Sequence, residues 1–153
     1  MSSKRVFLDS SVLVEYRKGS RTDLLDKLLD DKSIELIISQ VVVSEYLYHL
    51  LGIFGGKAPL TIKGAGEIGQ TLRRGNPNGL LGKLEWAADN EQVMLKAPKI
   101  MATYNLLPND ALILSICHIN EIKYIASFDP DFFEACSALN IKLLQNVSDT
   151  AKL

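Results

Sequence analysis

The sequence predicts a three-layer α/β/α sandwich around a central parallel sheet of four to five strands. Short apolar runs alternate along the chain with segments in which apolar residues recur at helical spacing. Strands that alternate with helices favour parallel pairing, right-handed crossovers and helices on both faces of the sheet. The chain has 153 residues, a length that suits one core, so we expect a single domain over residues 1–153.

Four apolar runs are predicted as strands. Each is short, rich in aliphatic or aromatic residues, and bounded by polar or turn-forming residues, as is typical of buried strands. In chain order they cover residues 6–8, 35–38, 124–126 and 141–144.

Helices are predicted between these strands from apolar periodicity and from residues that favour helix ends. Ser39 can cap the helix after the second strand, and Gly52 can end it. Asn109 can cap the helix that begins at Asp110. The predicted helices cover residues 12–18, 22–31, 41–51, 80–88, 98–106, 110–120 and about 130–139.

Residues 52–82 have an unusual composition. They contain nine of the ten glycines in the chain, together with Pro59 and Pro77. Such a density of helix-breaking residues favours short helices joined by mobile turns. We therefore expect a glycine-rich helical insertion at about residues 52–82, within the same domain.

The overall composition is that of an ordinary globular protein, with 47% hydrophobic and 23% charged residues. No apolar run approaches the ~20 residues that a membrane-spanning helix needs, and the N-terminus lacks a signal-peptide pattern. We therefore expect a cytoplasmic protein without a membrane partner.

Cys117 and Cys136 lie in apolar helical patterns and are expected to be free thiols, because the chain has too few suitably spaced ligands for zinc.

The net charge of −1 does not by itself indicate a nucleic-acid partner. Residues 52–107 carry seven basic and four acidic residues, or +3, whereas the remainder carries ten basic and fourteen acidic residues, or −4. A solvated helical face is the favoured interpretation of the basic stretch. An anionic polymer lying near an acidic, metal-filled site is the alternative interpretation.

Four acids have positions that suggest a common site. Asp9 directly follows the first strand and Asp129 the third, so both should lie at the carboxyl edge of a parallel sheet, where ligands bind. Asp110 begins a helix, and Glu45 shares a helix face with apolar neighbours. Each acid alone is explained as a cap, a turn residue or one half of an ion pair. Their joint placement predicts an active site.

The residues around these acids resemble the motifs of PIN domains. The order of the motifs and their flanking residues are similar to that family from residue 6 to the final strand, whereas residues 52–82 match nothing in its pattern. Four segments carry the resemblance: residues 6–14 with Asp9, residues 39–46 with Glu45, residues 106–114 with Asp110, and residues 127–132 with Asp129.

The resemblance implies a metal-dependent endoribonuclease similar to VapC-type toxins, one half of a toxin–antitoxin pair. It implies an RNA substrate, a homodimer and a cognate antitoxin protein. It also implies the parallel sheet that periodicity predicts. Carboxylate ligands favour Mg²⁺ or Mn²⁺ as the cation.

The acids are expected to divide the work of such a site. Asp9 and Asp129 would bind the metal directly, Asp110 directly or through water, and Glu45 would bind a second metal or orient the nucleophilic water. Asp131 is a possible fifth acid, although a turn or helix-start role is favoured. Three hydroxyl groups are candidates for orienting the carboxylates, namely those of Ser10, Ser11 and Ser127.

Two other functions remain open. A phosphatase or phosphoacceptor domain would use Asp9 as a nucleophile, but Ser11 stands where the haloacid-dehalogenase pattern has a second aspartate. A non-cleaving PIN-like module would use the same fold to bind RNA or to serve as a docking subunit. His49 lies one helical turn from Glu45 and could approach a substrate, whereas His118 is on an apolar helix, where a histidine is more often structural; both are expected to be non-catalytic.

Overall fold

The computed structural model of the chain describes residues 3–153. Its strands are β1 (Lys4–Leu8), β2 (Ile34–Ile38), β3 (Glu85–Trp86), β4 (Tyr124–Ala126) and β5 (Lys142–Leu144). Its helices are α1 (Ser10–Lys18), α2 (Asp23–Asp30), α3 (Gln40–Gly55), α4 (Pro59–Gly64), α5 (Ile68–Gly75), α6 (Pro77–Leu81), α7 (Glu91–Tyr104), α8 (Pro108–Ile119) and α9 (Phe132–Ala138), followed by a 3₁₀ helix over Val147–Lys152.

The five strands form one parallel sheet in the order β3-β2-β1-β4-β5. The predicted parallel α/β fold is therefore confirmed. Central strand β1 pairs on both sides, with Val6 opposite Leu36 and Tyr124, and residues Val6, Phe7 and Leu8 are fully buried. The chain order reverses across the β1–β4 pair, so the carboxyl ends of these two strands border the crevice where such sheets bind ligands.

Strand β3 lies where the sequence predicts a helix over residues 80–88, and that prediction is wrong. Helix α6 ends at Leu81, and Gly82 follows it. The chain then pairs with β2, with Trp86 opposite Ile38 and the Ala87 N–H donating to the Ile38 carbonyl at 2.8 Å. Pairing with a neighbouring strand therefore overrides the local helical pattern.

Two predicted helix starts also differ from the structure. Helix α7 begins at Glu91 rather than 98, because the Asn90 side chain accepts from the Val93 N–H, and Pro98 lies inside the helix. Helix α8 begins at Pro108 after Leu107, so Asn109 is not its cap. Proline is well suited to a first turn because its missing N–H would have had no partner there.

The glycine-rich segment forms the short helices α4, α5 and α6, as its composition predicts. Close packing accounts for part of its glycine content. A Cβ on Gly75 would lie 2.9 Å from Leu50 Cδ2 and 3.2 Å from Phe54 Cδ2, so only glycine lets α5 approach α3 this closely. Arg17 reinforces the contact by donating to the Tyr46 hydroxyl at 2.8 Å and to the Gly75 carbonyl.

The core holds both cysteines. Cys117 and Cys136 are buried and free, as predicted, and burial raises the pKa of each thiol, so both behave as apolar packing groups.

Within residues 3–153, no single helix is long and apolar enough to span a membrane; the pair α7–α8, bent by 117°, meets that length and composition only when joined.

Candidate active site

Asp9 lies at the carboxyl end of β1 and is only 4% exposed. Its Oδ2 accepts from Ser11 Oγ at 2.6 Å and from Ser127 Oγ at 2.8 Å. The same carboxylate is also the N-cap of α1, accepting from the Ser11 N–H. Burial raises the pKa of Asp9 and the nearby Glu45 charge adds to that rise, while the serine hydrogen bonds act to lower it.

Glu45 projects from α3 and joins two other helices. Ser10 Oγ, at the start of α1, donates to Oε2 at 2.8 Å, and Asn109 Nδ2, in the first turn of α8, donates to Oε1 at 2.7 Å. Both carboxylate oxygens are thereby held in one orientation. The contacts bring together residues that are 35 and 64 positions apart in sequence.

Three further carboxylates converge next to Asp9. One oxygen each of Asp110, Asp129 and Asp131 lies within 4.8 Å of the others. Asp110 occupies the first turn of α8, and the other two flank Pro130 in the link between β4 and α9. The Asp129 N–H donates to Ser127 Oγ at 3.0 Å, and Asp129 Oδ1 accepts from the Asp131 N–H at 2.9 Å. Asp131 thus joins the cluster, as well as standing just before α9.

The acids share one electrostatic environment. Partial burial and, after it, the negative charges of Asp129, Asp9, Glu45 and Asp131 together raise the pKa of Asp110 from 3.8 to about 7. A carboxyl group with this pKa is half protonated near neutrality, because ionising it adds a charge to an already negative pocket. A bound cation would therefore be stabilised by these carboxylates.

The described part of the chain supplies no ion-pair partner for these acids. Across residues 3–153 the salt bridges join Lys18 to Glu15, Lys57 to Glu67 and Lys152 to Asp149, all outside the site. The donor set consists of carboxylate and hydroxyl oxygens, which is the chemistry that Mg²⁺ and Mn²⁺ prefer. Charge balance and ligand chemistry therefore both fit a divalent cation at Asp110, Asp129 and Asp131.

Of the four predicted acids, Asp110 and Asp129 meet in the cluster with Asp131, whereas Asp9 and Glu45 lie outside it but near enough for their charges to act on Asp110. Each predicted serine donates to Asp9 or to Glu45. Sequence reasoning missed the contact of Asn109 with Glu45. That residue was assigned to capping α8, and its position beside Asp110 in the third motif was the available signal. Among the described residues neither histidine donates to a site acid: His49 is exposed against Tyr48, one helical turn beyond Glu45 on α3, and His118 is in the last turn of α8, far along the helix from Asp110.

Fold and sequence together define the class of protein. The PIN domain family matches residues 6–137, which is most of the chain. The chain belongs to the PIN domain family.

Two curated relatives come from Methanocaldococcus jannaschii. Ribonuclease VapC2 is 31% identical, with 86% of this chain and 89% of the relative aligned. Ribonuclease VapC6 is 32% identical, with 86% of this chain and 93% of the relative aligned. This chain is therefore similar to VapC proteins over nearly their whole length.

Solved structures with low sequence identity share the fold. VapC20 from Mycobacterium tuberculosis, described as a sarcin–ricin loop cleaving toxin, superposes with a TM-score of 0.62 at 16% identity, covering 85% of this chain and 94% of that one. VapBC-1 from nontypeable Haemophilus influenzae also gives 0.62 at 16% identity, covering 93% and 97%. Both likenesses support the PIN-like α/β/α architecture.

Proposed function

We propose that this protein is a divalent-metal-dependent endoribonuclease that acts as the toxin of a toxin–antitoxin pair. The observation that carries the proposal is the cluster of Asp110, Asp129 and Asp131, with the charges of Asp9 and Glu45 close by and no salt bridge to any of these acids among the described residues. The relatives named as VapC ribonucleases support RNA as the substrate.

Each acid has a role suited to its surroundings. Asp110 and Asp129 would hold the cation, and Asp131 would be a further ligand. Asp9, buried at the carboxyl end of β1, would be the fourth carboxylate of the site. Glu45, held by Ser10 and Asn109 on both oxygens, is placed to orient a water for attack. Bound Mg²⁺ or Mn²⁺ would acidify water and neutralise charge on the phosphate.

The serines preorganise this arrangement. Ser11 and Ser127 both donate to the same oxygen of Asp9, which leaves the orientation of that carboxylate little freedom. Ser127 also accepts from the Asp129 N–H, so one hydroxyl links two of the acids. Such supporting hydrogen bonds fix ligand geometry before the cation arrives.

Asp9→Asn tests the proposal directly. Asparagine keeps the size and the helix-capping ability of Asp9, so the fold should survive while Mn²⁺-dependent cleavage of labelled single-stranded RNA falls by roughly 10²-fold or more. Asp30→Asn, which removes an exposed charge outside the site, is the matched control. A folded Asp9→Asn protein that cuts RNA at the wild-type rate would disprove the assignment, and the same assay with DNA tests substrate class.

The two alternatives make different predictions. A phosphoacceptor would label on Asp9 with acetyl phosphate, but that carboxylate is nearly inaccessible and both hydroxyl contacts occupy its Oδ2. A non-cleaving module would bind RNA and leave it intact with Mn²⁺ or Mg²⁺. The acid cluster favours the nuclease because a binding surface for a polyanion gains nothing from uncompensated negative charge.

A homodimer and a cognate antitoxin complete the proposal. The fold shared with VapBC-1 and the VapC names of the curated relatives support the antitoxin, whereas the dimer follows from the resemblance to VapC-type toxins. Light scattering of the purified chain checks the dimer, and co-purification with the product of an adjacent gene checks the antitoxin.

We also propose that residues 52–82 are a helical insertion in one PIN-like domain.

A further inference from the structure

One arginine lies beside the acidic site without an ionic partner. The Arg21 guanidinium carbon is 3.6 Å from the centroid of the Phe128 ring, which is a close cation–π stack. Phe128 belongs to the wall of the site, since it stands between Ser127 and Asp129 and its N–H donates to Ser11 Oγ at 3.0 Å. The stack therefore holds a positive charge against the residue that precedes Asp129 in the chain.

The donor groups of Arg21 have no direct partner among the described residues, although its charge acts at longer range on Glu15, whose pKa is lowered first by the Ser20 hydroxyl. Within residues 3–153 Arg21 has no salt bridge and no hydrogen bond that meets ordinary geometry, and its side chain is exposed. Arg5 and Arg17, by contrast, donate to backbone carbonyls of their own fold. Stacking on a ring face leaves the guanidinium edge, with its fork of N–H groups, open to a ligand.

The backbone at Arg21 is unusual as well. Its φ is 50°, in the left-handed region that disfavours every residue with a Cβ. It lies in the short link between α1 and α2, where glycine or asparagine would be easier to accommodate. Strained residues that persist next to a site commonly position a functional side chain, and the Arg21 side chain stacks on Phe128 from this strained backbone.

From this geometry we propose that Arg21 binds a phosphate of the RNA strand next to the one that is cleaved. The inference rests on the proposed ribonuclease function. An acidic pocket repels a polyanion, so a strand entering it needs a nearby cation whose position is set in advance. A stacked guanidinium meets that need, because its planar N–H fork matches two phosphate oxygens.

Arg21→Gly is the decisive variant. Glycine accepts a φ of 50° without strain, so the variant should fold with a melting temperature near that of the wild type. Its Kd for a fluorescein-labelled single-stranded RNA, measured by anisotropy with Ca²⁺ present, should rise roughly tenfold, as expected for one lost charge-assisted contact. The slope of log Kd against log salt should fall by about 0.7, the value for one single-strand phosphate contact.

Two further variants test the planar fork and the position of the charge. Arg21→Lys keeps the charge but loses the planar fork, and should weaken binding by roughly threefold. Lys32→Ala removes the same charge just before β2, at the opposite edge of the sheet, and should leave Kd within about twofold. In Mn²⁺, Arg21→Gly should raise KM and leave kcat within about twofold, because the contact is made in ground and transition state alike.

The outcomes distinguish this inference from the proposed function. Equal Kd values for wild type and Arg21→Gly, or equal losses in Arg21→Gly and Lys32→Ala, would overturn the phosphate contact. A fall in kcat with unchanged Kd would overturn it too. If wild-type protein bound RNA but did not cut it, the nuclease proposal would fail, while the Kd of Arg21→Gly would still test the role of Arg21.

Discussion

Replacing Asp110 by asparagine should stabilise the protein in the absence of metal. The pKa of this carboxyl group is raised from 3.8 to about 7, chiefly by burial and next by the charge of Asp129. The folded state therefore binds the proton more tightly than the unfolded chain does. Its stabilising effect is complete below pH 3.8 and is lost as pH rises through about 7, so at pH 8 the ionised side chain is a net liability.

The magnitude follows from the two pKa values. The difference between them corresponds to about 4 kcal/mol for a group that solvent does not screen. Asp110 is only partly buried, so solvent screening reduces this to about 1–2 kcal/mol. Losing a favourable charge at the N-terminus of α8 takes back about 0.5 kcal/mol. The net gain of about 1 kcal/mol should raise the melting temperature by about 2–4 °C.

Thermal melts in EDTA at pH 8 and pH 5 provide the test. The gain for Asp110→Asn should be present at pH 8 and shrink to less than half at pH 5, because Asp110 is then largely protonated in the folded protein. Millimolar Mn²⁺ should raise the wild-type melting temperature more than that of the variant, since the ligand is missing. A variant that melts below the wild type at pH 8 in EDTA would refute the electrostatic reasoning.

Asp31→Asn is the control with the opposite sign. Hydrogen bonds from the Ser33 hydroxyl and N–H lower the pKa of Asp31, so its ionised form contributes stability that is lost as pH falls. The variant should therefore melt slightly below the wild type at pH 8. A rise for both variants would indicate a general effect of removing negative charge.

Two more predictions concern serines. Ser39 is fully buried before α3 with no hydrogen-bond partner for Oγ among residues 3–153, so Ser39→Ala should leave stability unchanged or raise it by up to about 1 kcal/mol in urea unfolding, whereas loss of a working cap would cost about 1 kcal/mol. Ser127→Ala should weaken Mn²⁺ binding by roughly 10-fold in calorimetry, because the hydroxyl orients Asp9 and Asp129. Ser115→Ala, which removes a buried hydroxyl bonded within α8, should bind Mn²⁺ normally, and equal losses would show that Ser127 acts only through packing.

Local patterns were enough to predict most of the sheet. The apolar runs at β1, β2, β4 and β5 are short and bounded by polar residues, so their burial was visible in sequence. Strand β3 was not visible, because two residues carry no period and Glu85 and Trp86 are exposed. Its identity comes from pairing with β2.

Helix boundaries show the same division. The pattern at residues 98–106 placed a start at Pro98 because proline favours a first turn, but Asn90 caps the helix two turns earlier. Proline inside α7 removes one hydrogen bond, and packing against α8 and the core retains the helix despite that loss.

The sequence alone was enough to predict that Asp9 and Asp129 lie at the same edge of the sheet. Asp9 and Asp129 follow strands of a parallel sheet, and parallel strands end at one edge, so their meeting is a consequence of topology. The separations of Asn109 from Glu45, and of Arg21 from Phe128, are too long for any local pattern to detect. Tertiary structure alone decided those contacts and the raised pKa of Asp110, because burial and charge–charge repulsion depend on distances through space.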